Sequence, residues 1–194
     1  MKINEKNNHS GINTYQKGKN DIVFSNTILG AGVDWINVQG TQSDDMINVK
    51  TSTKAISFNS VNNTPSKAYK TNTIDMTNKN FIKIRYYVDN IANIASDNLI
   101  IQFYTNTAMT AGYQSTLYLY KLLTQNWYEE VVPRAMFSNI GTPTGWNNVV
   151  RMAVRVISKA STTLNVTVDE VSFFESPNSK AKLFITCDDV YVSQ

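Results

Sequence analysis

Reactive side chains are scarce in this chain, and their spacing decides which chemistry is open to it. There is one histidine, His9, and one cysteine, Cys187. A serine or cysteine nucleophile needs a base beside it, and His9, in a polar N-terminal stretch, is not a credible one. The sequence contains no phosphate-cradling glycine loop, no H-E-x-x-H and no cysteine cluster. Adjacent carboxylate pairs that could serve hydrolysis are Asp44/Asp45 and Glu129/Glu130, and a further pair, Asp188/Asp189, lies near the C-terminus. Glycoside hydrolysis asks for two carboxyls about 5 to 9 Å apart. Neighbouring residues of a strand point to opposite faces, so neither Asp44/Asp45 nor Glu129/Glu130 is itself such a site. The last pair is different, because in "KLFITCDDVYVSQ" an apolar run delivers Asp188 and Asp189 as a buried strand delivers carboxylates to an active site.

Binding chemistry is better supplied. A sugar-binding surface needs aromatic planes for CH contacts and polar groups for hydroxyls. Candidates are Arg85 with Tyr87, Gln102 with Tyr104, Arg151 with Arg155, and Tyr118 with Tyr120. If these residues share one sheet, they form a basic, tyrosine-rich surface suited to an anionic polysaccharide. If they do not, the tyrosines sit on a solvated outer sheet for their strand propensity alone. Trp35, Trp127 and Trp146, all at strand starts, are candidate stacking platforms.

The elements that would position these side chains are strands. In "FIKIRYYV", Ile82, Ile84, Tyr86 and Val88 share one face and Phe81, Lys83, Arg85 and Tyr87 the other, the period of a half-buried strand. "NLIIQFYT" sets Leu99, Ile101 and Phe103 against Ile100, Gln102 and Tyr104, and "VVRMAVRVIS" sets Val150, Met152, Val154 and Val156 against Arg151, Ala153, Arg155 and Ile157. In "LNVTVDEVSFF", Leu164, Val166 and Val168 fix one phase while Val171 and Phe173 continue in the other, so a β-bulge at Asp169 or Glu170 is expected. "MINVK", "KAISFNS", "STLYLYKLL" and "YEEVV" are shorter strand candidates, divided by turns such as "NNTPS" and "NIGTPTGW". Only "ASDNLIIQFY" and "SKAS" tempt a helical reading. Many short strands with almost no helix predict an all-β protein, a jelly-roll β-sandwich of two antiparallel sheets.

Composition agrees with one such domain. The chain has 194 residues, 42% hydrophobic and 17% charged, and a formal charge of +3. Its lysines and arginines are scattered, which argues against a nucleic-acid partner. A single cysteine excludes an internal disulfide framework. No apolar run approaches the roughly 18 residues of a membrane span, so membrane insertion is not expected. Residues 1–27 read as a polar arm or linker, 28–176 as the sandwich, and 177–194 as a linker and a further strand. "MKINEKNNHSGINTYQKGKN" lacks the apolar core of a secretory signal. That leaves a cytoplasmic protein, a domain of a larger secreted protein, or a virion protein.

At "TGWNNVVRMAVRVISKASTTLNVTVDEVSFFE" the sequence resembles the end of a carbohydrate-binding-module-like jelly roll, in which a tryptophan starts the penultimate strand and "x-V-x-V-D-E-V" closes the sandwich. Trp146 and residues 166–171 match, and "GVDWINV", "TSTKAISF" and "TQNWYEEVVP" resemble earlier strands in order, over roughly residues 28–175. The resemblance implies glycan binding, core or rim packing rather than ligand stacking for Trp35, Trp127 and Trp146, which match its structural positions, and a structural calcium at Asp169, for which Asp34 is the nearest acidic partner. "ITCDDVY" is similar to the first motif of polysaccharide deacetylases, T-F-D-D-G, with Cys187 and Val190 departing from it. That resemblance would make Asp188 a general base and Asp189 a metal ligand. The family completes its metal site with a later H-x-x-x-H, and its barrel takes on the order of 200 residues. The catalytic domain is therefore expected to be absent from this chain.

The expectation is a non-catalytic targeting module for cell-surface polysaccharide, in front of a deacetylase-like domain or in a phage tail or receptor-binding protein, working outside the cell or on the virion. A homotrimer or virion partners would suit the phage setting. Two rival readings stand beside it, a virion assembly adaptor without glycan affinity and the N-terminal fragment of a metal-dependent deacetylase.

Overall fold

Along Phe81–Val88 the alternation of the sequence also sorts the side chains, whereas on the strands Ile94–Tyr104 and Val149–Ser158 the opposite positions Ile100, Gln102, Tyr104, Ala153 and Ile157 are buried as well. Ile82, Ile84, Tyr86 and Val88 are buried, while Phe81, Lys83, Arg85 and Tyr87 between them are half-exposed. Leu99, Ile101 and Phe103 join Met152, Val154 and Val156 in the same core. The computed structural model describes residues 22–25, 35–49, 54–117 and 126–175, which form twelve strands in two antiparallel sheets. The protein is an all-β jelly-roll sandwich.

Sheet I runs in the order β3 (Thr41–Asp45), β4 (Ala55–Val61), β12 (Thr163–Phe174), β6 (Phe81–Val88) and β9 (Asn126–Pro133), and β1 (Ile22–Ser25) pairs with the second half of β12. Sheet II runs β10 (Ser138–Ile140), β8 (Gly112–Thr116), β7 (Ile94–Tyr104), β11 (Val149–Ser158), β5 (Ser66–Ile74) and β2 (Ile36–Gln39). The chain changes sheet between β4 and β5, between β6 and β7 and between β11 and β12, so each strand meets the opposite sheet through its inner face. Between the sheets Phe103 meets Phe173 with ring centroids 5.4 Å apart, and Trp35 meets Phe58 edge-on at 5.8 Å. Burying a side chain of this size is worth roughly 1.5–3 kcal/mol relative to exposure.

The expected bulge is present. β12 pairs Val168 with Tyr86 but Glu170 with Arg85, so Asp169 is the extra residue. It returns Val171 and Phe173 to the core, at 1% and 0% exposure. The turn within "NNTPS" places Asn62 and Asn63 at φ 50° and 60°, a backbone region that asparagine tolerates better than most residues. Between β2 and β3, Gly40 has φ 71°, and a Cβ there would stand 2.9 Å from the Ser66 Cα, so the crossing needs glycine.

Several strands differ from expectation. Ile22–Ser25 lies in the stretch read as arm, yet forms β1, because the short apolar run Ile22–Phe24 is enough where the second half of β12 offers a free edge. "MINVK" alternates like a strand, but residues 46–48 bend, with the backbone N–H groups of Ile47 and Asn48 donating to Asp45 Oδ1 at 2.9 and 2.8 Å. The edge strand is the polar "TQSDD" before it. "ASDNLIIQFY" is wholly strand, and "SKAS" is the end of β11 and a turn.

Candidate functional site

The outer face of sheet II collects cations from neighbouring strands. Arg155 on β11 stands opposite Lys67 on β5, and Arg151 opposite Thr71. Ala153 lies between the two arginines, opposite Tyr69 on β5 and Gln102 on β7. Tyr104 on β7 faces Arg151. Period two along each strand puts all these side chains on one surface.

Their contacts fix the surface. Lys67 Nζ donates to the Tyr104 hydroxyl oxygen at 2.8 Å and lies 5.1 Å from that ring's centroid. The Arg151 guanidinium lies 4.2 Å from the Tyr69 centroid, a cation–π contact, and its Nη1 donates to the Thr107 carbonyl. Gln102 Nε2 donates to Gln114 Oε1 at 3.1 Å. Two buried polar atoms on this face, Gln102 Oε1 and Arg151 Nε, have no hydrogen-bond partner among the described residues. Burial, and then repulsion from Arg155, holds the Lys67 amine below its ordinary 10.5. Burial pushes the Tyr104 hydroxyl up to about 12 against the pull of Arg155. No ion pair of the described residues includes Lys67, Arg151 or Arg155.

The sequence-derived candidates divide. Gln102, Tyr104, Arg151 and Arg155 come together here, whereas Arg85 and Tyr87 belong to the outer face of sheet I. Arg85 there bonds Glu129 at 2.5 Å and Glu170 at 3.5 Å, Lys83 lies 3.6 Å from Glu170, and Tyr87 packs against Trp127 at 5.8 Å. A single surface holding both groups is thus replaced by two, one on each side of the sandwich. Tyr118 and Tyr120 lie outside the described residues. Tyr104 is only 2% exposed, so it supports Lys67 rather than offering an open ring. Lys67 and Tyr69 were missed. Their strand turns Ser66, Ala68 and Lys70 inward, which erases the apolar alternation that would mark it.

The carboxylates are spent on separate partners. Asp44 pairs with Lys54 at 3.2 Å, Asp45 accepts from Thr167 Oγ1 at 2.8 Å, Glu129 holds Arg85 and Glu130 accepts from the Tyr86 hydroxyl at 3.2 Å. Asp169 is buried at the bulge. Among the described residues no group of three or more His, Cys, Asp or Glu side chains is placed to share a metal ion, so the calcium expectation gains no ligand set, and Asp34, Asp188, Asp189, His9 and Cys187 lie outside those residues. Trp35 is core at 2% exposure, while Trp127 and Trp146 are only partly buried.

No family model matches the sequence, and no curated protein is significantly similar to it. Solved structures are similar. A family 30 carbohydrate-binding module aligns with a TM-score of 0.55 at 13% identity, over 84% of this chain and 92% of that one. The family 11 module of a cellulosomal cellulase of Clostridium thermocellum gives 0.51 at 7% identity, over 80% and 95%, and has also been solved with a β-1,3-1,4-mixed-linked tetrasaccharide. A structure from work on the promiscuous specificity of β-sandwich carbohydrate-binding modules gives 0.53 at 10% identity over 73% of this chain, which spans 57% of that chain's length. At these identities the likeness is one of fold.

Proposed function

We propose that this chain is a non-catalytic module that binds polysaccharide through the outer face of sheet II, and that the polysaccharide is anionic. The observation that carries the reading is the set of three cations, Lys67, Arg151 and Arg155, that no carboxylate of the described residues neutralises. Holding such charges together costs free energy that an acidic chain laid across the strands would return. Tyr69 supplies a ring beside them, 4.2 Å from the Arg151 guanidinium. The sandwich fold shared with carbohydrate-binding modules supports a glycan as the ligand class.

Affinity electrophoresis through gels containing acidic or neutral polysaccharides tests this directly. Acidic gels are expected to retard the protein and neutral gels to leave it unretarded, with Arg155→Ala weakening the retardation about tenfold, as for loss of one charge-assisted contact. Equal retardation by neutral glucans would overturn the anionic assignment, and none by any polysaccharide would overturn the function. The wider setting of the module, ahead of a deacetylase-like domain or in a phage tail, rests on "ITCDDVY" and on the polar sequence style alone. An H-x-x-x-H segment encoded beyond Gln194 would favour the deacetylase setting.

A further inference from the structure

A second concavity lies away from the basic face, beside the connection by which the chain passes from β9 in sheet I to β10 in sheet II. Its walls come from the start of β6 and the end of β9 in sheet I, from β8 and β10 in sheet II, and from Trp146. The cavity measures about 560 Å³, within the roughly 300–1,000 Å³ of small-molecule sites.

Its aromatic wall is fixed in place. Tyr113 and Trp146 stack at 3.9 Å with planes 10° apart, and Phe137 meets Trp146 edge-on at 5.5 Å. The Trp146 carbonyl accepts from the Met76 backbone N–H at 2.8 Å, locking the segment. Beside the rings stands Arg134. Its Nη1 donates to the Met76 and Thr77 carbonyls at 2.7 and 2.9 Å, which orients the guanidinium and leaves Nε and Nη2 with no described partner. Arg134 lies 5.8 Å from the Trp146 centroid, and its charge is felt at the Tyr113 hydroxyl, which burial raises and Arg134 draws back down. Asn80 and Asn139 add amides at the rim, and among the described residues no Asp or Glu lines the cavity.

We infer that this cleft is a separate binding site for a single carboxylate-bearing sugar residue, its ring against the Tyr113–Trp146–Phe137 wall and its carboxylate on Arg134. The pairing follows from the lining: rings for an apolar sugar face, an oriented guanidinium with donors to spare, amides for hydroxyls, and, among the described residues, no carboxylate to repel the ligand. That the ligand is a sugar rests on the proposed function, whereas the charge preference rests on the cleft alone. The cleft suits one residue, while the face of sheet II suits a run of them.

The test is a titration of the ¹⁵N-labelled full chain with glucuronic acid and, separately, with glucose, following the indole N–H signals of Trp35, Trp127 and Trp146. Glucuronic acid is expected to shift Trp146 saturably and glucose to bind about tenfold more weakly. Asn139→Asp adds a carboxylate at an exposed rim position and is expected to weaken glucuronic acid about tenfold while leaving the thermal midpoint unchanged. Arg155→Ala is expected to leave the Trp146 response intact. A Trp146 signal that does not saturate, responds equally to glucose, or ignores Asn139→Asp would overturn the inference. Because the gel assay reads the face of sheet II and the Trp146 signal reads the cleft, failure of one reading is distinguishable from failure of the other.

Discussion

Lys67 and Arg155 face each other across the β5–β11 ladder, where opposite charges would ordinarily be found. Like charges directly opposite destabilise a sheet by some tenths of a kcal/mol to about 1 kcal/mol. An anionic ligand relieves that repulsion and favours the charged form of Lys67. Affinity for an acidic polysaccharide is therefore expected to be full below the folded pKa of Lys67 and to fall as pH rises through it, at a pH under the ordinary 10.5. Tyr104, at about 12, keeps its proton over that range. Lys67→Arg stays charged and should flatten the alkaline fall in affinity measured by calorimetry across pH. Asp45 behaves in the opposite sense. Burial would raise its pKa, but hydrogen bonds from Asn48, Thr167 and Ile47 outweigh it and hold the carboxyl below 3.8. Its stabilising contribution is present above 3.8 and is lost as pH falls through the lower folded value. Thermal midpoints of the wild type and Asp45→Asn should differ above that pH and converge in stronger acid.

β12 shows how a strand carries both a legible and a hidden signal. The phase change between Val168 and Val171 can be read in the sequence because a strand with an invariant period cannot bury Val166, Val168, Val171 and Phe173 together. The core faces of β6 and β7 were legible for the same reason, and that of β11 from Met152 onward, but β11 buries Val149 in place of the expected Val150, because its register with β5 shifts between Val149 and Arg151. β5 was not, since its inward positions Ser66, Ala68 and Lys70 lack the apolar pattern and only the register with β11 assigns its outer face. "MINVK" misled because alternation alone does not distinguish a strand from a loop anchored by Asp45. The split of the candidates between two sheets was hidden too, because strand order depends on pairings far apart in the chain. The bulge itself is testable. Deleting Asp169 would turn Val171 and Phe173 outward in a strand paired with β4, β6 and β1. The loss should exceed the roughly 3–5 kcal/mol of truncating one buried Phe. Denaturant unfolding of the deletion variant should show a collapsed midpoint, and a stability near wild type would mean that the phase change does not depend on Asp169.

The sandwich as a whole presents two outer faces built to opposite electrostatic rules. On sheet I, Lys83 and Arg85 are matched by Glu129 and Glu170 in one cross-strand network. On sheet II, Lys67, Arg151 and Arg155 have no such match among the described residues. A small excess of positive charge over the whole chain, +3, therefore understates the local field at one face and overstates it at the other. Only the unmatched face should attract a polyanion, and salt should weaken that attraction as the screening length shortens from about 10 Å at 0.1 M to about 3 Å at 1 M. Retention on a column of immobilised acidic polysaccharide is expected to drop with salt in the wild type. Replacing Arg151 and Arg155 together by Gln should abolish most of it, by about a hundredfold in affinity if each contact is worth the usual tenfold. Replacing Arg85 by Gln together with Tyr87→Ala, on the neutralised face, should leave retention unchanged. The reverse outcome, loss with the Arg85 and Tyr87 pair and none with the arginines of β11, would place the binding surface on sheet I and make the tilted Tyr87–Trp127 pair its aromatic platform.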